Sequence, residues 1–236
     1  MKAALESTDK KERQGAILKV LQELKQACNG VAALQKDRSD IYGRSGKIRE
    51  LRTILTSVVE NGEKAIVFSQ YPSQFEKLSE LLMDQLEADT GKPVGVLELT
   101  GKDSVLAREN TQKSFKENDR VAVVLISLRA GGTGLNLQSA NHVIHLDRWW
   151  NAAVEDQATD RAWRIGQKKV VHAHKFVCRG TLEERIDKLI TNKRKLASDL
   201  LGDVSEESMT AELMKLDADA LHDVLSLNED KAVYDE

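Results

Sequence analysis

The stretch Val121-Ala122-Val123-Val124-Leu125-Ile126-Ser127-Leu128-Arg129-Ala130-Gly131-Gly132-Thr133-Gly134-Leu135-Asn136-Leu137 decides the fold. Its first seven residues form an unbroken, β-branched apolar run, the pattern of a strand buried on both faces, and it ends in a glycine-rich turn. Working outward, Lys64 to Ser69, Val94 to Leu99, His142 to Leu146 and Val170 to Val177 are also short and rich in β-branched residues, and are predicted as strands. Helical patterns separate them. Ser73 to Leu86 opens with Ser73-x-x-Glu76, a capping-box spacing, and Ser104 to Phe115 has helical periodicity. Strands alternating with helices predict an α/β chain with a mainly parallel sheet flanked by helices, although strand order is not readable.

Helical extensions are expected at both ends. Ile17, Leu18, Leu21, Leu24, Lys25 and Cys28 have helical spacing that stops at Asn29-Gly30, and a polar connector, Gln35 to Arg44, follows. Ile48, Leu51, Ile54, Leu55 and Val58 define a second helix ending at Asn61-Gly62. Thr181-Leu182-Glu183-Glu184 reads as a capping box opening a long helix to about Leu201, closed by Gly202. Met209 to Leu225 reads as an acidic amphipathic helix. The expected segments are 1–44, an N-terminal helix and connector; 45–180, the α/β lobe; 181–202, a bracing helix; and 203–236, an acidic helical tail.

The 236 residues are 41% hydrophobic and 31% charged, a composition of globular rather than disordered chains. No apolar run approaches the length of a membrane span and Met1 to Leu5 lacks a secretory pattern, so a cytoplasmic, nucleoid-associated or nuclear setting is expected. The net charge of −3 conceals an asymmetry. Residues 203–236 carry eleven acidic side chains against Lys215 and Lys231, a tail of −9 that leaves +6 on residues 1–202. A basic body suits a polyanion, and equally a solvated surface. Cys28 and Cys178 have no motif spacing and read as reduced thiols. His142 with His145 and His172 with His174 lie in strands without a ligand framework, so no metal site is expected.

Ligands of open parallel sheets bind beyond the carboxyl ends of the strands, which directs attention to three loops. Gln70-Tyr71-Pro72 follows the first strand, the glycine turn follows Val121 to Ser127, and Asp147-Arg148-Trp149-Trp150-Asn151 follows His142 to Leu146. The last leads into Asp156-Gln157-Ala158-Thr159-Asp160-Arg161-Ala162-Trp163-Arg164-Ile165-Gly166-Gln167. Glycines let a backbone approach a phosphate closely, though a ligand-free turn would use them too. Arg161 and Arg164, at i and i+3, share a face if the helix persists, and suit either a phosphate or surface salt bridges to Asp156 and Asp160.

In sequence order these segments resemble the second lobe of the SNF2/SWI2 ATPases, superfamily 2 helicase-like proteins. The matching pieces are Ala130 to Leu137 (AGGxGxNL), Trp150-Asn151, and Gln157 to Gln167 (QAxDRAxRIGQ). Leu24 to Asn29, Ser45-Gly46-Lys47, Phe68-Ser69-Gln70, Arg108 after its glycine turn, and Gly180 to Ile186 agree as well, covering roughly residues 17 to 202. Ala152, Trp163 and Val170 depart from the family's usual proline, histidine and proline.

The resemblance implies a RecA-like lobe of the P-loop NTPase type. Arg161 and Arg164 would be arginine fingers reaching an ATP and Mg²⁺ held mainly by a first lobe, with Gln157 ordering that site. Gly132, Thr133, Gly134 and Asp160 would couple nucleotide state to DNA; Trp150, Arg129, Ser69, Gln70 and Arg108 would contact double-stranded DNA. The expected partners are the first lobe, duplex DNA and a DNA-bound protein substrate. Gly43-Arg44-Ser45-Gly46-Lys47 lacks the spacing of GxxxxGK(S/T) and reads as a helix start, so the chain is expected to be half of a DNA-stimulated ATPase, inactive alone. Two alternatives stay open: a lobe of a strand-separating DEAD/DExH helicase, or a catalytically inactive DNA- or protein-interaction module.

Overall fold

The computed structural model describes residues 9–30, 45–131, 135–164 and 166–197. The Gln35 to Arg44 connector, Gly132, Thr133, Gly134, Ile165, Gly202 and the Met209 to Leu225 segment lie outside them. The elements in chain order are α1 (Lys10–Asn29), α2 (Gly46–Glu60), β1 (Ala65–Ser69), α3 (Phe75–Thr90), β2 (Gly95–Leu99), α4 (Val105–Glu117), β3 (Val121–Ser127), α5 (Leu128–Gly131), β4 (His142–His145), α6 (Ala152–Thr159), β5 (His172–Lys175) and α7 (Leu182–Ala197). Among the described residues no helix is long and apolar enough to cross a membrane.

Packing divides the chain into two compact units. The larger holds Ser45–Trp149 and Ala153–Phe176, with a five-stranded, all-parallel sheet in the order β2-β3-β1-β4-β5. Every residue of β1 and β3 is buried, as their apolar runs predict for central strands. In β1, Ile66 lies opposite Val124 and Val143, and Phe68 opposite Ile126, so one face presents a continuous apolar surface. Phe115 of α4, Ala158 of α6 and Ala162 close over that face. Helix α2 packs on α3 and β3, and α3 also packs on β2.

Local signals explain most boundaries. Ser45 caps α2 by accepting from the Ile48 N–H at 3.4 Å. Lys47, in the first turn, is buried and donates to the Leu146 carbonyl at 2.7 Å, so Ser45-Gly46-Lys47 opens a helix. Gly91 ends α3 in the left-handed region, φ 67°, where a side chain would be strained. The Ser73 capping box does not form. Pro72 starts a 3₁₀ turn over Pro72–Gln74, and α3 begins only at Phe75 without a side-chain cap. The last strand is shorter than predicted, four residues with an exposed pattern at the sheet edge, because Val170 lies in solvent.

The smaller unit comprises, among the described residues, α1, Trp150–Ala152 and the segment from Val177 through α7. Asp9 caps α1, accepting from the Lys11 and Glu12 N–H groups. Ile17, Val20 and Leu21 of α1 are buried, as are Leu182, Ile186 and Ile190 of α7, and the two helices pack together. Thr181 caps α7 by accepting from the Glu183 N–H at 3.2 Å, while Glu184 reaches the Gly180 N–H at 3.0 Å.

Candidate nucleotide cleft

With β1 between β3 and β4, the strand order reverses beside β1, so the crevice of an open parallel sheet falls among the loops after Ser69, Ser127 and His145. A buried polar network fills the β1–β4 side of it. The Ser69 hydroxyl donates to Asp147 at 2.6 Å; the Gln70 backbone N–H donates to the same carboxylate, and its side-chain amide donates to Asp147 Oδ1 at 2.6 Å and to the Arg148 carbonyl at 2.9 Å. Ser69 and Asp147 are almost wholly buried and Gln70 is half-buried, so Ser69 and Gln70, expected at the DNA surface, turn their side chains to Asp147 in this structure.

Beyond them Glu155 is the hub, at 0% exposure. One carboxylate oxygen lies 3.3 Å from Arg148 and 3.1 Å from Lys175, while the other accepts the Trp149 N–H at 2.9 Å. Lys175 also pairs with Asp156 at 3.6 Å. These contacts tie the start of α6 to β4 and β5, and with it Gln157.

The helix does not persist to Arg161 and Arg164: α6 stops at Thr159. After Thr159 the chain turns: Arg161 N–H donates to Ala158 O, Ala162 and Trp163 N–H groups to Thr159 O, and the Arg161 carbonyl accepts from Leu137 N–H at 3.3 Å. Arg161 and Arg164 therefore do not share a continuing helix face. Arg161 is 8% exposed, whereas Arg164 is exposed and makes no ion pair among the described residues. Gln167 fixes the far end, its amide donating to Gln138 O at 3.0 Å and Ala140 O at 2.8 Å. Between these anchors lies an open cleft of about 950 Å³ lined by Gln157, Asp160, Arg161, Trp163, Arg164 and Gln167. Trp163 is 69% exposed there.

The remaining predicted residues sit elsewhere. Arg108 braces the loop before α4, donating to Asp103 O at 3.0 Å and Gly101 O at 3.3 Å. Trp150 is 3% exposed, with the Lys25 ammonium 5.0 Å above its ring. The Arg129 side chain lies outside the described residues, as do Gly132, Thr133 and Gly134. Sequence reasoning missed Asp147, Arg148, Glu155 and the clamp by Gln167, because the network joins β1, the loop after β4, α6 and β5, which only the fold brings together.

His145 is fully buried on β4; its Nε2 lies 3.1 Å from Thr159 Oγ1, whose hydroxyl donates to Glu155 O, so the imidazole N–H is the donor. Burial first, and then the cations Lys175 and Arg148, push its pKa down to about 3. The unfolded chain binds this proton near pH 6.5 and the folded chain does not, so stability is full above that pH and falls between pH 6.5 and 3, by up to about 1.4 kcal/mol per unit. Urea titrations across this range should show the slope, and His145→Gln should flatten it.

Comparisons with known proteins give the family and the fold. The helicase conserved C-terminal domain matches residues 46–166, and the chain belongs to that family. Within it, the chain is the C-terminal RecA-like lobe of an SNF2/SWI2-type ATPase. It is 32% identical to the SWI2/SNF2 ATPase C-terminal domain of Sulfolobus solfataricus, with a TM-score of 0.68 over 94% of this chain and 86% of that one. Against the ATPase core from the same organism in complex with dsDNA the values are 35% and 0.72, over 96% of this chain and 47% of the other. YwqA of Bacillus subtilis, named as an ATP-dependent helicase/translocase, is 41% identical over 192 residues, 80% of this chain. The chain spans about a fifth of the length of the curated relatives it matches, 20% and 19% for the first two.

Proposed function

We propose that this lobe supplies the arginine side of an ATP site completed by a first RecA-like lobe, and that the pair moves along duplex DNA. The observation that carries the reading is the cleft in which an exposed Arg164, with no ion pair among the described residues, stands beside a buried, backbone-anchored Arg161. Phosphoryl transfer places charge on equatorial oxygens, and a guanidinium held beforehand stabilises that charge without reorganising. Arg161 is the held cation, and Arg164 is free to swing onto the γ-phosphate as the lobes close. Gln157, exposed on the same wall, orders the approach. The residues lining the cleft fit the phosphates of ATP rather than Mg²⁺, since the cleft offers two guanidiniums and amides but the single carboxylate of Asp160. When bound, Mg²⁺ neutralises phosphate charge from the first lobe's side.

Contact with duplex DNA falls to Arg129, Arg108 and the glycine turn through Gly132, Thr133 and Gly134, reading phosphates rather than bases. Ser69 and Gln70 act from beneath, holding through Asp147 the loop that follows β4. Asp160, just after α6, lines the cleft and would carry the coupling between nucleotide and DNA. The similarity to a core solved with dsDNA supports this reading over an RNA or single-strand track. The two-lobe protein is expected to displace a third strand from a DNA triplex in an ATP-dependent manner while leaving a forked duplex unseparated. Efficient strand separation would instead favour a helicase of the DEAD/DExH kind.

A further inference from the structure

Cys28 and Cys178 stand 150 positions apart in sequence, yet the smaller unit brings them together. Both Sγ atoms and a carboxylate oxygen of Glu183 lie within 4.8 Å of one another, a grouping supplied by the last turn of α1, the segment before α7 and the first turn of α7. Glu183 is fully buried, and both thiols are partly buried and not joined in a disulfide. We propose that Cys28, Cys178 and Glu183 form a site for one thiophilic divalent cation of the Zn²⁺ class, which pins the C-terminal end of α1 to the N-terminal end of α7.

The donor set and its surroundings carry this. Thiolates and carboxylates are both Zn²⁺ ligands, and a span within 4.8 Å is short enough to close on one ion by small side-chain rotations. In the metal-free arrangement the thiols carry their protons: Cys28 Sγ lies 3.5 Å from Thr181 Oγ1, and Cys178 Sγ lies 3.4 Å from the Cys28 carbonyl. Binding exchanges two protons for one ion. Each S–H loses its proton to solvent, two S–metal bonds and one O–metal bond form, and no electron moves. Water fills the fourth position. A disulfide would need only the sulfurs; the buried Glu183 carboxylate beside them adds a third donor that a cation can use. The Cys178 N–H donates to Glu183 Oε2 at 3.0 Å, which fixes one oxygen and orients the carboxylate toward the sulfurs.

The test uses the whole chain, reduced and stripped of metal, titrated with Co²⁺ and then competed with Zn²⁺. One equivalent of Co²⁺ should produce thiolate-to-cobalt charge-transfer absorption that Zn²⁺ abolishes. Cys28→Ser and Cys178→Ser should each lose that band, and Glu183→Gln should weaken binding by about tenfold or more. Zn²⁺ should raise the melting temperature of the parent chain and not of Cys178→Ser. Circular dichroism of each variant separates loss of the site from loss of the fold. Absence of the band while both thiols remain reduced overturns the proposal, as does a band that survives in both serine variants. A Cys28–Cys178 disulfide forming with oxidised glutathione in a chain that binds no metal overturns it too.

Discussion

Replacing Arg164 by Ala in the two-lobe protein should lower DNA-stimulated kcat by about 10³-fold, near 4 kcal/mol of transition-state stabilisation, with the fold unchanged. Arg164 is exposed and makes no ion pair among the described residues, so its removal leaves no buried group stranded. Arg161→Ala should cost at least as much rate and some stability besides, because Arg161 is 8% exposed and packed where its own carbonyl accepts from Leu137. Arg164→Lys should recover only part of the activity, since a point charge replaces the planar fork that grips two phosphate oxygens. Steady-state phosphate release with saturating duplex DNA reads all three. Wild-type turnover in both alanine variants would remove the arginines from the chemistry.

Glu155→Ala should be the most damaging single change to the fold, a loss of about 3–5 kcal/mol in urea denaturation. The carboxylate is fully buried between Arg148, itself 2% exposed, and Lys175, and it also accepts the Trp149 N–H. Removing it takes a buried counterion from a buried guanidinium, a far larger cost than breaking a surface pair. Glu184→Ala, which removes an exposed i,i+4 pair with Lys188, should therefore cost under about 1 kcal/mol from that pair. The consequence for function follows from position. Glu155 lies two residues before Gln157 on α6, so losing it frees the wall that carries Gln157 and the start of the arginine segment.

How much of this was legible depends on the range over which each signal acts. The central strand Val121–Ser127 was read to the residue, because a seven-residue apolar run admits few other placements. The helix through Arg164 was read too long: periodicity continues past Thr159, but the chain turns so that Leu137 N–H can reach the Arg161 carbonyl, a bond between residues 24 positions apart. The capping box at Ser73 failed because Pro72 began a 3₁₀ turn first. Ser69 and Gln70 were expected at the DNA surface, but their partner Asp147, some 78 positions away, turns their side chains inward. The motif that names the family was plain in sequence. The polar network that holds it, and the meeting of Cys28 with Cys178, arise only from the fold.

The central claim is tested most directly by complementation. A first lobe carrying the phosphate-binding loop, prepared alone, should release phosphate from ATP at a basal rate that duplex DNA does not change. Adding this chain should bring duplex-stimulated hydrolysis, and adding its Arg161→Ala, Arg164→Ala form should not. Equal stimulation by the doubly substituted chain would contradict the account, since it would place the catalytic cations outside this lobe.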